Sequence, residues 1–144
     1  MAGMLLDTHA LIWPLASEPM DSRALLAIAE AQANNSLFVS PVSAWEVAVA
    51  AVKPNPARRP ALGGLSPEVW FRRGVRLAGA RTALVSLAVG IEAAKVTGIL
   101  GTGDPGDCFL VATARVRGLA LVTRDSRIVE ASRRNPGFLP IVRC

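Results

Sequence analysis

Five short apolar runs separate stretches of helical character along this 144-residue chain, and that alternation restricts the fold more than any other feature. Met4 to Leu6, Leu37 to Val39, Ala83 to Val85, Ala120 to Thr123 and Leu139 to Val142 read as strands without the polar alternation of a one-sided sheet. Runs of that kind are buried on both faces, which requires a mostly parallel sheet with helices packed above and below. The intervening helices are expected at 8–15, broken near Pro14, and at 22–33, capped by Asp21 or Ser22. Others are expected from about Val42 to Val52 behind Ser40-Pro41, from Ser66-Pro67-Glu68 to about Ala78, and over 86–97, 105–117 and 125–133. Pro54, Pro56, Pro60, Gly63 and Gly64 make 53–64 a loop, and a Gly-rich connection spans 98–106. The expected architecture is a three-layer α/β domain covering residues 1–144.

Length, charge and hydropathy exclude several classes. The chain is 51% hydrophobic with a mean hydropathy of +0.38, so it is not a disordered polymer. Its longest apolar stretches, such as Thr82 to Ile91, fall far short of the roughly 20 residues that cross a bilayer. No basic segment precedes an apolar one at the N-terminus, and Cys108 and Cys144 form neither a disulfide framework nor a paired metal motif. A cytoplasmic protein without a membrane span is the expectation. Sixteen Lys and Arg against eleven Asp and Glu favour an anionic partner.

The placement of the acids carries the functional argument. Asp7 follows the first strand directly and Asp125 follows the fourth by two residues, so both stand at carboxyl ends of buried strands, where open α/β sheets bind ligands. Each also precedes a helix and suits an N-cap. Glu46 lies in Val42-Ser43-Ala44-Trp45-Glu46-Val47-Ala48-Val49, a helix apolar nearly all round, with no basic residue at the local pairing distance. A carboxylate there needs a cation, a proton or a tertiary Arg. Asp104-Pro105-Gly106-Asp107 adds two acids at a helix start, where a capping box is the structural alternative. Crowded carboxylates repel and call for a cation, and an all-oxygen set suits Mg²⁺ or Mn²⁺ better than Zn²⁺. A basic surface around an acidic metal pocket has the electrostatics of a nuclease.

Taken together, Leu5-Leu6-Asp7-Thr8-His9-Ala10-Leu11-Ile12-Trp13, Val42 to Ala48, Gly103-Asp104-Pro105-Gly106-Asp107, Phe109 to Ala114 and Leu121-Val122-Thr123-Arg124-Asp125 resemble the motifs of PIN-domain ribonucleases of the VapC toxin type, in the same order. The resemblance implies that Asp7, Glu46, Asp107 and Asp125 form a catalytic, metal-binding quartet, with Asp104 beside it as a further metal residue and Thr8 beside it as a substrate-binding residue. It implies metal-dependent hydrolysis of RNA, often a transfer or ribosomal RNA, a homodimer, and inhibition by a VapB-type antitoxin. Two positions depart from the family pattern: Cys108 stands where Arg is common after the third acid, and Thr102 where His is frequent.

Among the basic residues, Arg124 and Arg127 flank the last acid and are the candidates for substrate contact. Arg115 and Arg117 are grouped with them, and Lys53, Arg58, Arg59, Arg72, Arg73, Arg76 and Arg81 form a second cluster that is either an RNA-guiding surface or a solvated face. His9 reads as a packing or hydrogen-bonding residue, and Trp13, Trp45, Trp70 and Phe71 as core or interface residues, with Trp70-Phe71 a possible grip for an antitoxin helix. Two other functions fit an acid cluster. One is a phosphatase of the haloacid-dehalogenase kind, which wants a second acid two residues after the nucleophilic Asp, where this chain has His9. The other is a non-catalytic domain holding a metal or a partner's Arg.

Overall fold

A computed structural model describes residues 3–15 and 19–144, with the side chains of 13–15 left aside. Trp13 therefore lies outside the described side chains. Five strands form one parallel sheet in the order β3-β2-β1-β4-β5: β1 (Met4–Leu6), β2 (Leu37–Val39), β3 (Arg81–Thr82), β4 (Ala120–Thr123) and β5 (Ile141–Arg143). Seven α-helices join them among the described residues: α1 (Thr8–Leu15), α2 (Ser22–Ala33), α3 (Pro41–Ala51), α4 (Pro67–Leu77), α5 (Leu87–Leu100), α6 (Pro105–Arg117) and α7 (Ser126–Arg134).

The sheet carries a separate core on each face. Leu5, Phe38 and Leu121 point into a cluster completed by Val89, Val96, Leu110 and Ile128 from α5, α6 and α7. Their strand neighbours Met4, Leu6, Leu37, Val39 and Val122 point the other way, against Leu11, Ala31 and Phe71 from α1, α2 and α4. Consecutive strand residues thus serve opposite cores, which is why these runs are apolar throughout. The expected three-layer arrangement is the one observed.

Several boundaries move. The strand expected at Ala83–Val85 forms at Arg81–Thr82 instead, pairing Phe38 with Arg81 and Val39 with Thr82. The Ala83 amide still donates to the Val39 carbonyl at 2.8 Å, after which Leu84 and Val85 leave the sheet exposed. An edge strand needs no apolar outer face, and a charged one discourages pairing with another chain. The last strand shifts from 139–142 to 141–143, in register with Leu121 to Thr123. α5 runs through Gly98 to Leu100 and stops at Gly101, whose φ of 84° is the conformation that ends it. α1 continues through Pro14, and the loop at 53–64 holds one 3₁₀ turn, Pro56–Arg58.

Strand order places the topological switch point between β1 and β4, which run side by side with Leu6 opposite Val122. The Asp7 amide extends that pairing by donating to the Val122 carbonyl at 3.1 Å. Asp7 and Asp125 therefore leave the sheet at the crevice where such folds hold ligands.

Candidate active site

A cavity of about 260 Å³ opens at this switch point, lined by Asp7, Thr8, His9, Glu46, Asp104, Asp107, Arg124 and Asp125. All five acids singled out in the sequence meet there, from four separate segments. The capping roles are real and compatible with it. Asp7 accepts from the Ala10 amide at 2.7 Å, Asp104 from the Asp107 amide at 3.1 Å, and Asp125 from the Arg127 and Ile128 amides at 2.8 and 3.4 Å. Each cap uses one oxygen and aims the carboxylate at the strand ends.

Glu46 is placed by tertiary contacts. Thr8 Oγ1 donates to its Oε1 at 2.8 Å and lies 2.9 Å from the buried Ser43 hydroxyl, which ties the starts of α1 and α3 together. On the far side the carboxylate rests on Gly106, where a Cβ would stand 2.9 Å from Glu46 Cδ. Ser43, Gly106 and Thr123 were not singled out in the sequence. Ser43 lies one helical turn before Glu46, and Thr123 two residues before Asp125, whose amide donates to it at 3.1 Å.

The electrostatics divide the site. Burial pushes the Asp7 carboxyl above its usual value, against hydrogen bonds from Thr123 and the Ala10 amide. Burial also raises Glu46, opposed by Thr8 and assisted by the charge of Asp104. Asp107 is raised to about 7, first by burial and then by Asp104, Asp125 and Glu46. For Asp125 burial is outweighed by the amides of Arg127 and Ile128 and the Arg127 side chain, so this carboxyl sits below its ordinary range. Negative charge is therefore under-compensated at Asp7, Glu46 and Asp107, the condition that a hard cation relieves. Among the described residues no group of three or more Asp, Glu, His or Cys side chains is arranged to hold a metal ion. The all-oxygen donor set is of the kind that suits Mg²⁺ or Mn²⁺.

The basic residues distribute differently from expectation. Arg127 spans the outer acids, with Nη2 at 2.7 Å from Asp107 Oδ2, 3.4 Å from Asp125 Oδ2 and 3.9 Å from Asp104 Oδ2. Arg124 lines the cavity and donates to the Pro19 carbonyl at 3.0 Å. Arg115 and Arg117, grouped with them in the sequence, lie elsewhere, because α6 carries them about 15 and 18 Å from its first residue at 1.5 Å per residue. Arg115 pairs with Glu92 at 2.8 Å and stacks on Phe138, and Arg117 stacks on Phe38. Cys108 is buried, with Sγ 3.6 Å from the Gly101 carbonyl, so it is a core residue. His9 is exposed at the rim. Trp70 and Phe71 pack into the core on the α4 side, and Trp45 is 54% exposed. A groove of about 710 Å³ between α3 and α4 is lined by Trp45, Phe71, Arg72 and Arg76 among others.

The domain architecture and the strand-end acids define a three-layer α/β protein with an acidic crevice at its switch point. A PIN domain model matches residues 4–134, and the chain belongs to the PIN domain family. Among solved structures it is similar to the DNA-bound VapBC of Salmonella typhimurium, at 20% identity and a TM-score of 0.64, covering 99% of this chain and 98% of that one. VapBC2 of Rickettsia felis bound to a promoter DNA fragment gives 12% identity, a TM-score of 0.66 and 98% of both chains. VapBC-5 of Mycobacterium tuberculosis gives 17% identity, a TM-score of 0.63 and full coverage of both. At these identities the likeness shows the shared fold. No curated protein sequence matches the chain significantly. No helix among the described residues is long and apolar enough to cross a membrane.

Proposed function

We propose that this chain is a metal-dependent endoribonuclease toxin of the VapC type, working as one PIN domain over residues 1–144 in the cytoplasm. The observation that carries the reading is the convergence of five carboxylates on one cavity at the switch point of a PIN-family sheet. Asp7, Glu46, Asp107 and Asp125, with Asp104, would hold Mg²⁺ or Mn²⁺. When bound, such an ion supplies an activated water and offsets charge developing on a phosphodiester.

The protein's own groups position and discriminate. Thr8 and Ser43 fix Glu46, Thr123 and the Ala10 amide fix Asp7, and the amides of α7 hold Asp125 ionised. Arg124 and Arg127 stand at the mouth as phosphate contacts, and the exposed Arg58, Arg59, Arg73 and Arg76 extend the cationic surface. The substrate class is RNA, with transfer and ribosomal RNA the first to test. The regulator is a VapB-type antitoxin, for which the α3–α4 groove offers an apolar floor with Arg72 and Arg76 at its edge. Exposed Trp45, Val49, Leu87 and Ile91 supply apolar surface for a homodimer.

The test is cleavage of cellular RNA by purified protein in Mg²⁺ or Mn²⁺, read by sequencing 5′ ends. Asp7→Asn and Glu46→Gln should each abolish cleavage while the circular dichroism spectrum is unchanged. Metal-dependent cleavage retained by both variants overturns the assignment.

A further inference from the structure

Arg127 is the second residue of α7, its amide held by the cap residue Asp125, and its side chain is 52% exposed. From that anchor the guanidinium reaches back across the mouth of the cavity. One nitrogen, Nη2, contacts Asp107 Oδ2 at 2.7 Å and Asp125 Oδ2 at 3.4 Å, with Asp104 Oδ2 at 3.9 Å. It does not touch Asp7 or Glu46, which are held by Thr123, Ala10 and Thr8 instead. The site is thus split into Asp7 and Glu46, which take their hydrogen bonds from neutral donors with the charge of His9 nearby, and an outer group gathered on the Arg127 guanidinium.

We propose that Arg127 is an internal counterion that a divalent cation must displace in order to load. The proposal rests on the metal-nuclease reading above. The oxygens that Nη2 contacts are oxygens the ion needs, and Mg²⁺ demands ligand distances of about 2.0–2.1 Å in near-octahedral order. A carboxylate oxygen whose lone pairs point at a guanidinium cannot meet that demand without turning. Two cations sharing these oxygens also repel, so loading and the Arg127 ion pairs exclude each other. Half of the side chain already faces solvent, so it leaves by rotation with no core residue to move.

The consequence is that Arg127 lowers the affinity for the ion while keeping the ion-free acids from repelling one another. It raises the ion concentration at which the site fills. The released guanidinium remains at the mouth, tethered by α7.

Mn²⁺ binding by isothermal titration calorimetry on the full chain tests this without reference to catalysis. Arg127→Gln should bind Mn²⁺ about three- to tenfold more tightly than wild type, the scale of a partly exposed ion pair lost together with one repelling charge. Arg134→Gln, which removes a surface charge paired with Glu130 on the same helix, should change affinity less than twofold. Unchanged or weaker binding by Arg127→Gln, or an equal gain in Arg134→Gln, overturns the proposal. Titration of wild type with Mg²⁺, followed on the Arg127 guanidinium NMR signals, gives a readout that needs no variant. Those signals should move toward solvent-exposed positions in step with binding, and signals that stay put through saturation overturn it. Absence of Mn²⁺ binding in every protein defeats the metal-nuclease reading and this proposal together.

Discussion

Single contacts decide where Glu46 points. One hydroxyl and one missing side chain hold it: Thr8 Oγ1 at 2.8 Å and the bare Cα of Gly106. Thr8→Val keeps the branched shape and removes the donor, so Glu46 loses the hydrogen bond that favours its charged form. We expect Mn²⁺ affinity to fall about tenfold in calorimetry, in line with the effect of removing partners that orient metal ligands. Gly106→Val should push the carboxylate aside and reduce cleavage at least as much, whereas Gly98→Val, with open space around it, should leave cleavage unaltered. The sequence made Glu46 conspicuous because its helix offered no local cation. It did not point to Gly106, because a glycine in the first turn of a helix carries no signal of its own, and only the approach of α3 to α6 gives this one a task. Arg127 is similar: its position beside Asp125 was legible, but its reach to Asp107 and Asp104 depends on how α6 and α7 meet.

At the level of elements, α3 shows the limit of pattern reading. Its composition is that of a helix buried all round, yet Ser43 and Val47 are its buried residues while Trp45, Val49 and the following Val52 are exposed. Periodicity reports which residues avoid water, not whether the same chain covers them. α4 behaves more simply, with Phe71 and Gly74 inward and Arg72, Arg73 and Arg76 outward. Phe71→Ala should cost about 3 kcal/mol in chemical denaturation, the range for large core truncations, which makes it a stability variant and not a clean probe of antitoxin binding. α5 tolerates two interior glycines, Gly90 and Gly98, with nothing near where a Cβ would stand. Replacing both with Ala should raise stability by about 1–2 kcal/mol, because each glycine costs a helix up to about 1 kcal/mol relative to Ala. Tertiary packing along α6 explains why α5 does not stop at Gly98, as a local signal suggests.

For the whole molecule, the acids couple the site to stability. Asp7, Glu46 and Asp107 all have folded-state carboxyls raised above their ordinary values, Asp107 to about 7. A raised carboxyl binds more protons folded than unfolded, so its contribution is most favourable at low pH and is lost as pH rises from about 4 through 7. Without divalent cations, the melting temperature should therefore drop between pH 5 and pH 8 by several degrees more in wild type than in Asp107→Asn. Added Mn²⁺ should raise it more at pH 8 than at pH 5, since the ion competes with protons for the same oxygens. A flat wild-type profile contradicts this account. The alternation of apolar runs and helical stretches was enough to determine a parallel sheet between two helical layers, because burial on both faces leaves a strand no polar side. The same reading placed Asp7 and Asp125 at strand ends, since side-chain position follows directly from where an apolar run stops. What only the tertiary structure decided is which distant groups share one space: Thr8 with Glu46, Gly106 with the same carboxylate, and Arg127 with three acids. Those contacts depend on helix packing and strand order to within an ångström, and local sequence carries no energy term for a neighbour dozens of residues away.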